Sequence, residues 1–256
     1  VASVDYHTDI RLSDEILART ADAYRKIRNT LRFMLGNLHN FDPDVDSVDY
    51  ADILEIDRWA LSKNETLIKS VIDAYESYQF YRVNQLIHYF CTITMSSFYL
   101  DVLKDRLYAS SAKSKERRSA QTVLYIILTD LTRCLAPVLG FTADETWKYR
   151  PGKKDETSVH LASWPEVKED WIDKSLEEKW EKLLALRDFT LKEIEKVREK
   201  GEIGDSLEAK VTFYYTEAKL PEFMESSLNE LADVFLVSHV RFCNIRITIP
   251  VSLSTH

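Results

Sequence analysis

The chain has 256 residues, with hydrophobic residues at 45%, aromatics at 11% and charged residues at 30%. That is the balance of a folded protein able to bury a sizeable core, not of a disordered one. Five Gly and six Pro are fewer than a turn-rich β fold uses, and a net charge of −8 with a pI near 5.4 excludes a surface coated in basic charge, though not a local basic stripe. Cys91, Cys134 and Cys243 lie far apart without C-x-x-C spacing, which gives a zinc site no support and suits a reducing compartment. The N-terminus lacks a basic start followed by an apolar run, and no apolar stretch approaches the roughly 18 residues of a membrane span. The expectation is a cytoplasmic protein of two unequal domains with no membrane partner; beginning at Val1 rather than Met, it reads as a fragment or processed product.

In chain order, Ser13 can cap a first helix whose apolar positions Tyr24, Ile27, Leu31, Met34, Leu35 and Leu38 step by three and four. Asn40 to Pro43 reads as a turn, and Asp42 to Asp57 carries seven acids before the first base at Arg58, a run that would repel phosphates. Helical spacing returns with Ile56, Trp59, Ala60, Leu67, Val71, Ile72 and Tyr75, and breaks near Tyr78-Gln79-Phe80. The stretch from about Phe80 to Tyr108 is helical, and its length suggests a bend or two pieces. A polar connector, Ala109 to Lys115, precedes a helix with Val123, Ile126, Ile127, Leu131 and Leu135 inward, stopped near Pro137. Thr142 to Glu145 has the form of a capping box at a further helix start.

The pattern breaks around Pro151 to Lys154 and restarts after Trp164-Pro165, which is read as the end of an all-helical bundle. A second capping box, Ser175 to Glu178, opens a long charged helix that ends at Gly201. Two strand-like runs, Ala209 to Tyr215 and His239 to Ile247, flank a helix that starts near Pro221 and buries Phe223, Leu228, Leu231 and Phe235. The fold class expected is mainly α: a helical bundle over residues 1–165, followed by a small α+β unit over residues 166–256.

Two groups of side chains could carry chemistry. Arg25, Arg28, Asn29 and Arg32 fall at steps of three and four, so three guanidiniums and an amide share one stripe of the first helix. Such a stripe suits phosphate and base contacts; the competing reading is that the arginines are solvated or paired with acids on neighbouring helices. Lys104, Arg106, Lys113, Lys115, Arg117 and Arg118 form a second basic concentration, offset by Asp105 and Glu116, at a connector that suits RNA or is an ordinary solvated loop. No G-x-S-x-G, Cys–His pair, P-loop or G-x-G-x-x-G is present, so catalytic residues and metal ligands are both expected to be none. Phe33, Phe98, Tyr99 and Trp147 are core candidates before base-stacking ones. Asn64-Glu65-Thr66 matches a glycosylation acceptor by chance.

Several blocks resemble the isoleucyl-tRNA synthetases of bacterial type: Val1 to Tyr6 with Asp9 to Leu17; Tyr24-Arg25-Lys26-Ile27-Arg28-Asn29-Thr30-Leu31-Arg32-Phe33; Ser97 to Tyr108; Leu135 to Leu139 with Phe141 to Trp147; and Ile203 to Val211. The Leu135 to Trp147 pattern is shared with the valine and leucine relatives, and its combination with the Ile203 to Val211 block favours isoleucine. The resemblance implies the anticodon-recognition region of a class I enzyme that joins isoleucine to its tRNA using ATP. Neither ATP-binding signature, HIGH or KMSKS, occurs in this chain, nor does an editing domain, so the chain alone is expected to catalyse nothing. ATP and zinc are implied for the parent enzyme and none for this chain, which ends at Ser254-Thr255-His256 without the four-cysteine unit of bacterial members.

The partners implied are the anticodon stem-loop of an isoleucine tRNA and the catalytic domain of the same parent chain. The expected tRNA-binding residues are Arg25, Arg28, Asn29 and Arg32, then Lys104, Arg106, Arg117 and Arg118, with the α+β unit adding contacts. The rival from another class is a helical protein-interaction module whose basic stripe docks on another domain.

Overall fold

The computed structural model describes residues 4–7, 9, 13–154, 156–215, 220–227 and 231–244. They fall into two compact units that divide between Lys174 and Ser175 rather than after residue 165.

The first unit is helical. Helix α1 (Asp14–Asn37) starts where Ser13 Oγ accepts a hydrogen bond from the Ile16 N–H at 3.3 Å, with Asp14 and Glu15 in the first turn where the helix dipole favours them. It buries Ile27, Thr30, Leu31 and Met34. A single turn, α2 (Pro43–Asp46), is capped by Asp42 and has Pro at its start. Helix α3 (Glu55–Glu76) places Trp59, Leu61, Ile68 and Val71 in the core; Ser77 caps its end and Tyr78 follows with a positive φ of 56° that closes the turn.

Helices α4 (Phe80–Tyr89) and α5 (Leu100–Tyr108) are joined without a break by wide π-type turns over Phe90–Tyr99. Hydroxyls of that segment bond to backbone carbonyls around it. Thr92 Oγ1 donates to the His88 carbonyl at 2.7 Å, Ser97 Oγ to that of Ile93 at 2.6 Å, and Thr30 of α1 to that of Cys91 at 3.3 Å. Hydroxyls thus occupy carbonyls that a regular ladder would use. Contrary to the sequence expectation, the helix Phe80–Tyr108 is long and apolar enough to cross a membrane by length and composition. In the bundle, its Val83, Ile87, Met95 and Leu103 are fully buried.

Helix α6 (Lys115–Leu135), capped by Ser114, runs through the middle of the unit with Val123, Leu124, Ile127 and Leu128 fully buried. Helix α7 (Gly140–Tyr149) begins at Gly140, so Thr142 and Glu145 do not form the expected capping box: Thr142 lies inside the first turn and its hydroxyl meets the Tyr24 hydroxyl of α1 at 3.0 Å. Trp147 is fully buried, donates to the Glu156 carbonyl at 3.0 Å and lies under the guanidinium of Arg150, 4.2 Å from its ring centre.

Residues 159–173 strap back over α3, which is why they belong to the first unit. The Lys168 N–H donates to Glu65 at 2.8 Å, the Asp173 N–H donates to Ser62 at 3.0 Å, and Trp171 stacks on Tyr50 at 4.8 Å. Burial pushes the Glu65 carboxyl up to about 7, and that of Asp130, which accepts from Asn64, to about 6. Asn64 is fully buried, which closes it to glycosylation.

In the second unit, α8 (Lys174–Glu199) starts before Ser175, so the expected Ser175 box lies inside its first turn and not at its cap. It buries Leu176, Trp180, Leu183 and Ile194, and Gly201 follows with φ +73°, the left-handed residue that ends a helix. Strands β1 (Lys210–Tyr215) and β2 (His239–Asn244) pair in parallel, Lys210 against His239 through Tyr215 against Asn244. A parallel pair needs a crossover, which includes two short helices, α9 (Glu222–Glu225) and α10 (Leu231–Phe235). Met224, rather than the expected Phe223, is the buried residue of α9; Leu228 and the strand end at residues 245–247 lie outside the described residues. Phe213 packs between Phe235 and Phe242 at 5.6 and 5.5 Å, and Arg187 of α8 donates to the Val234 carbonyl at 2.8 Å.

Candidate nucleic-acid interface

The two basic groups have opposite fates. On α1, residues 27, 30, 31 and 34 face the core, so 3.6-residue geometry turns Arg25, Arg28, Asn29 and Arg32 outward, and all four are exposed. Arg25 Nε donates to the Ala21 carbonyl one turn earlier at 3.4 Å. Among the described residues, the side chains of Arg28, Asn29 and Arg32 have no hydrogen bond or ion pair. Beside them Lys26 pairs with Asp22 at 3.0 Å, and this hydrogen-bonded cation holds the Asp22 carboxyl below its usual range.

In the second group, Arg106 Nη2 meets the fully buried Asp57 at 2.6 Å; the same carboxylate accepts from the hydroxyls of Tyr99 and Ser119. Arg118 pairs with Asp46 at 2.9 Å, donates to the Asn40 carbonyl at 3.0 Å and to Gln121 at 2.8 Å, and lies over the Phe41 ring. Arg117 donates to the Ser110 carbonyl at 3.3 Å. Lys104, exposed, pairs with Asp101 on its own helix at 2.7 Å, and Lys115 pairs with Asp52 at 2.6 Å. The acidic run of residues 42–57 is therefore the partner of this basic connector: Asp46, Asp52 and Asp57 each neutralise one of its cations. Arg106, Arg117 and Arg118 are held within the bundle, which leaves the α1 stripe as the unengaged basic surface of the two.

Arg28 and Arg32 also line a shallow cavity of about 190 Å³, with Leu31 and Leu35 of α1 and Thr142, Glu145, Thr146 and Tyr149 of α7. Sequence reasoning did not place Glu145 and Tyr149 beside the stripe, and the Thr142 to Glu145 spacing had assigned Glu145 to a helix start. Of the aromatic core candidates, Phe98, Tyr99 and Trp147 are buried and Phe33 is half-buried. Among the described residues, no three His, Cys, Asp or Glu side chains are placed to hold a metal ion. Among the described residues no donor set fits the zinc that the resemblance implies for the parent enzyme.

The mainly helical fold agrees with what the chain is similar to. Residues 57–213 match the family described as the anticodon-binding domain of tRNA ligase. Over 246 residues, 96% of the chain, it is 46% identical to an isoleucine–tRNA ligase of Petrotoga mobilis; over 240 residues, 94% of the chain, it is 48% identical to that of Geobacter sulfurreducens. It spans only 27% and 26% of these relatives' lengths. Helix α1 precedes the family match but lies within the span aligned with the relatives. The chain belongs to the anticodon-binding domain family of the tRNA ligases, as a region of the isoleucine type.

Proposed function

We propose that the helical unit holds the anticodon stem-loop of an isoleucine tRNA, with Arg25, Arg28, Asn29 and Arg32 as its principal contacts and Lys104 as an auxiliary phosphate contact. The observation that carries this is the unengaged stripe. Three guanidiniums on one exposed helix face, uncompensated by the acids that neutralise the second basic group, are a local positive surface on an acidic protein. Guanidiniums neutralise phosphates and donate to base edges, and an amide such as Asn29 donates and accepts, the combination by which unstacked loop bases are read.

In this reading the chain serves the ATP-dependent attachment of isoleucine to its tRNA in the cytoplasm, while adenylation, transfer and editing belong to other parts of the parent enzyme. The chain alone is then inactive, and any isoleucine-dependent pyrophosphate exchange by the purified chain contradicts that part. Titrating the chain at low salt with an isoleucine tRNA anticodon stem-loop, against a stem-loop of altered anticodon, tests the binding. Tighter binding to the isoleucine anticodon is expected, and equal binding to both overturns the assignment.

A second reading has one observation in its favour: the relatives are far longer than this chain, so the stripe has other domains against which it can dock. A stripe used that way leaves the stem-loop unbound even at low salt.

A further inference from the structure

We propose that the strap of residues 159–173 is an acid-stabilised latch on α3: it closes over Glu65 while that carboxyl is protonated and opens locally when the carboxyl ionises. The regular structure of the strap is two single 3-10 turns, Val159–Leu161 and Glu169–Trp171, and among its residues only Val159 and Pro165 are buried. Its hold on α3 is mainly polar. Glu65 and Ser62 accept from the Lys168 and Asp173 N–H groups at 2.8 and 3.0 Å, and Lys69 pairs with Glu169 at 2.8 Å in solvent. Two ring contacts add to these, Trp171 on Tyr50 at 4.8 Å and Trp164 against Tyr75 at 5.1 Å. A segment with so little buried apolar surface opens at a fraction of the free energy of global unfolding.

Glu65 is the buried titrating member of this set. Its side chain is 1% exposed; among the described residues the Lys168 N–H is its hydrogen-bond donor and no cation pairs with it. The cations close by are engaged elsewhere: the Lys168 ammonium lies 3.7 Å from the Trp171 ring centre, the Arg133 guanidinium lies over Trp147 at 5.6 Å, and Lys69 holds Glu169. From α6 a second carboxyl, Asp130, faces Glu65 and accepts from the fully buried Asn64 at 2.9 Å. Lys168 and Glu169 face it from the strap, and Tyr50, with Arg58 and Asp173 around it, completes the charged surroundings.

A neutral Glu65 accepts the Lys168 N–H with no charge to hydrate. An ionised Glu65 is a buried anion beside another carboxylate, with one N–H in place of water. Burial first, and Asp130 after it, push the closed-state carboxyl up to about 7 from an ordinary 4.5. Opening readmits water, so the ionised form favours the open strap. The closed strap therefore binds the extra proton: its advantage is complete below about 4.5, is lost as pH rises to about 7, and changes little above that. The strap runs to Lys174, where the first unit ends, so its release frees the chain that leads into the second unit.

Amide hydrogen exchange of the full chain tests the latch, read peptide by peptide with the intrinsic rate at each pH divided out. Protection of the strap amides is expected to fall roughly 50-fold from about pH 5 to about pH 8, while residues 123–128 of α6 keep theirs. Glu65→Gln keeps an acceptor and cannot ionise, so its strap should stay closed across the range. Asp130→Asn, which removes the facing carboxylate, should shrink the fall. Ser62→Ala removes an acceptor that does not titrate and should lower strap protection by one factor at every pH. Strap protection that does not change with pH in the wild type, opening only together with α6, or a fall that survives in Glu65→Gln overturns the latch.

Discussion

The bundle carries two concentrations of basic side chains that look alike on paper and differ in the folded chain. Around α5 and α6, the guanidiniums of Arg106 and Arg118 are turned inward against Asp57 and Asp46, with side chains only 17% and 12% exposed. On α1, Arg28 and Arg32 face solvent without a carboxylate partner. The same residue type is cement in one place and an exposed surface without ion pairs in the other. What separates the two is whether the acidic run of residues 42–57 can reach.

The largest effect expected from breaking this contrast is at Asp57. Asp57→Ala strands the Arg106 guanidinium and two hydroxyls without their shared acceptor, and should cost about 3–5 kcal/mol in urea denaturation. A loss under about 1 kcal/mol would mean that the pair is solvated, like an ordinary surface bridge.

Next in size is a pH effect from Glu65, which holds the 159–173 strap. The folded carboxyl keeps its proton up to about 7, whereas the ordinary value is 4.5. The folded state therefore binds more protons across that window, and stability falls as pH rises through it. Asp130, raised from 3.8 to about 6, acts in the same direction over a lower window. The groups facing this pair are Asn64, Arg133, Lys168 and Glu169. Glu65→Gln keeps an acceptor for the Lys168 N–H and removes the titration. It should flatten the pH profile and gain about 1–2 kcal/mol at pH 8; a profile unchanged from wild type would show that Glu65 titrates normally.

Arg118→Ala should cost about 1–3 kcal/mol, since it leaves Asp46, the Asn40 carbonyl and Gln121 short of a donor. The smallest expected effect on stability sharpens the comparison most: Arg28→Ala with Arg32→Ala should shift stability by no more than about 0.5 kcal/mol each. A cost comparable to that of Arg118→Ala would place the stripe in the structural class.

The helices were legible because their apolar spacing is local, and so was the stripe, whose four members lie within a few turns of one helix. The fate of the second basic group was not legible. Asp57 and Arg106 are 49 residues apart and Asp52 and Lys115 are 63, and nothing local to either run reveals which charges the fold brings together. The Ser13 cap was legible and the boxes at Thr142 and Ser175 were not, because the same residue spacing also occurs within the first turn of a helix, where a hydroxyl can bond elsewhere, as that of Thr142 does with Tyr24. Nor were Glu145 and Tyr149 legible beside the stripe, since only the packing of α7 beside α1 brings them to the cavity that Arg28 and Arg32 line.

The proposal that the α1 stripe makes the principal phosphate contacts and the second basic group only an auxiliary one through Lys104 is tested most directly by the salt dependence of stem-loop binding in wild type, Arg28→Ala/Arg32→Ala and Lys104→Ala/Arg117→Ala. The account predicts that the α1 double variant loses about one unit of log–log salt slope per phosphate contact removed and binds weakly, while the second variant keeps most of both. A slope unchanged in the α1 variant and reduced in the other would contradict it.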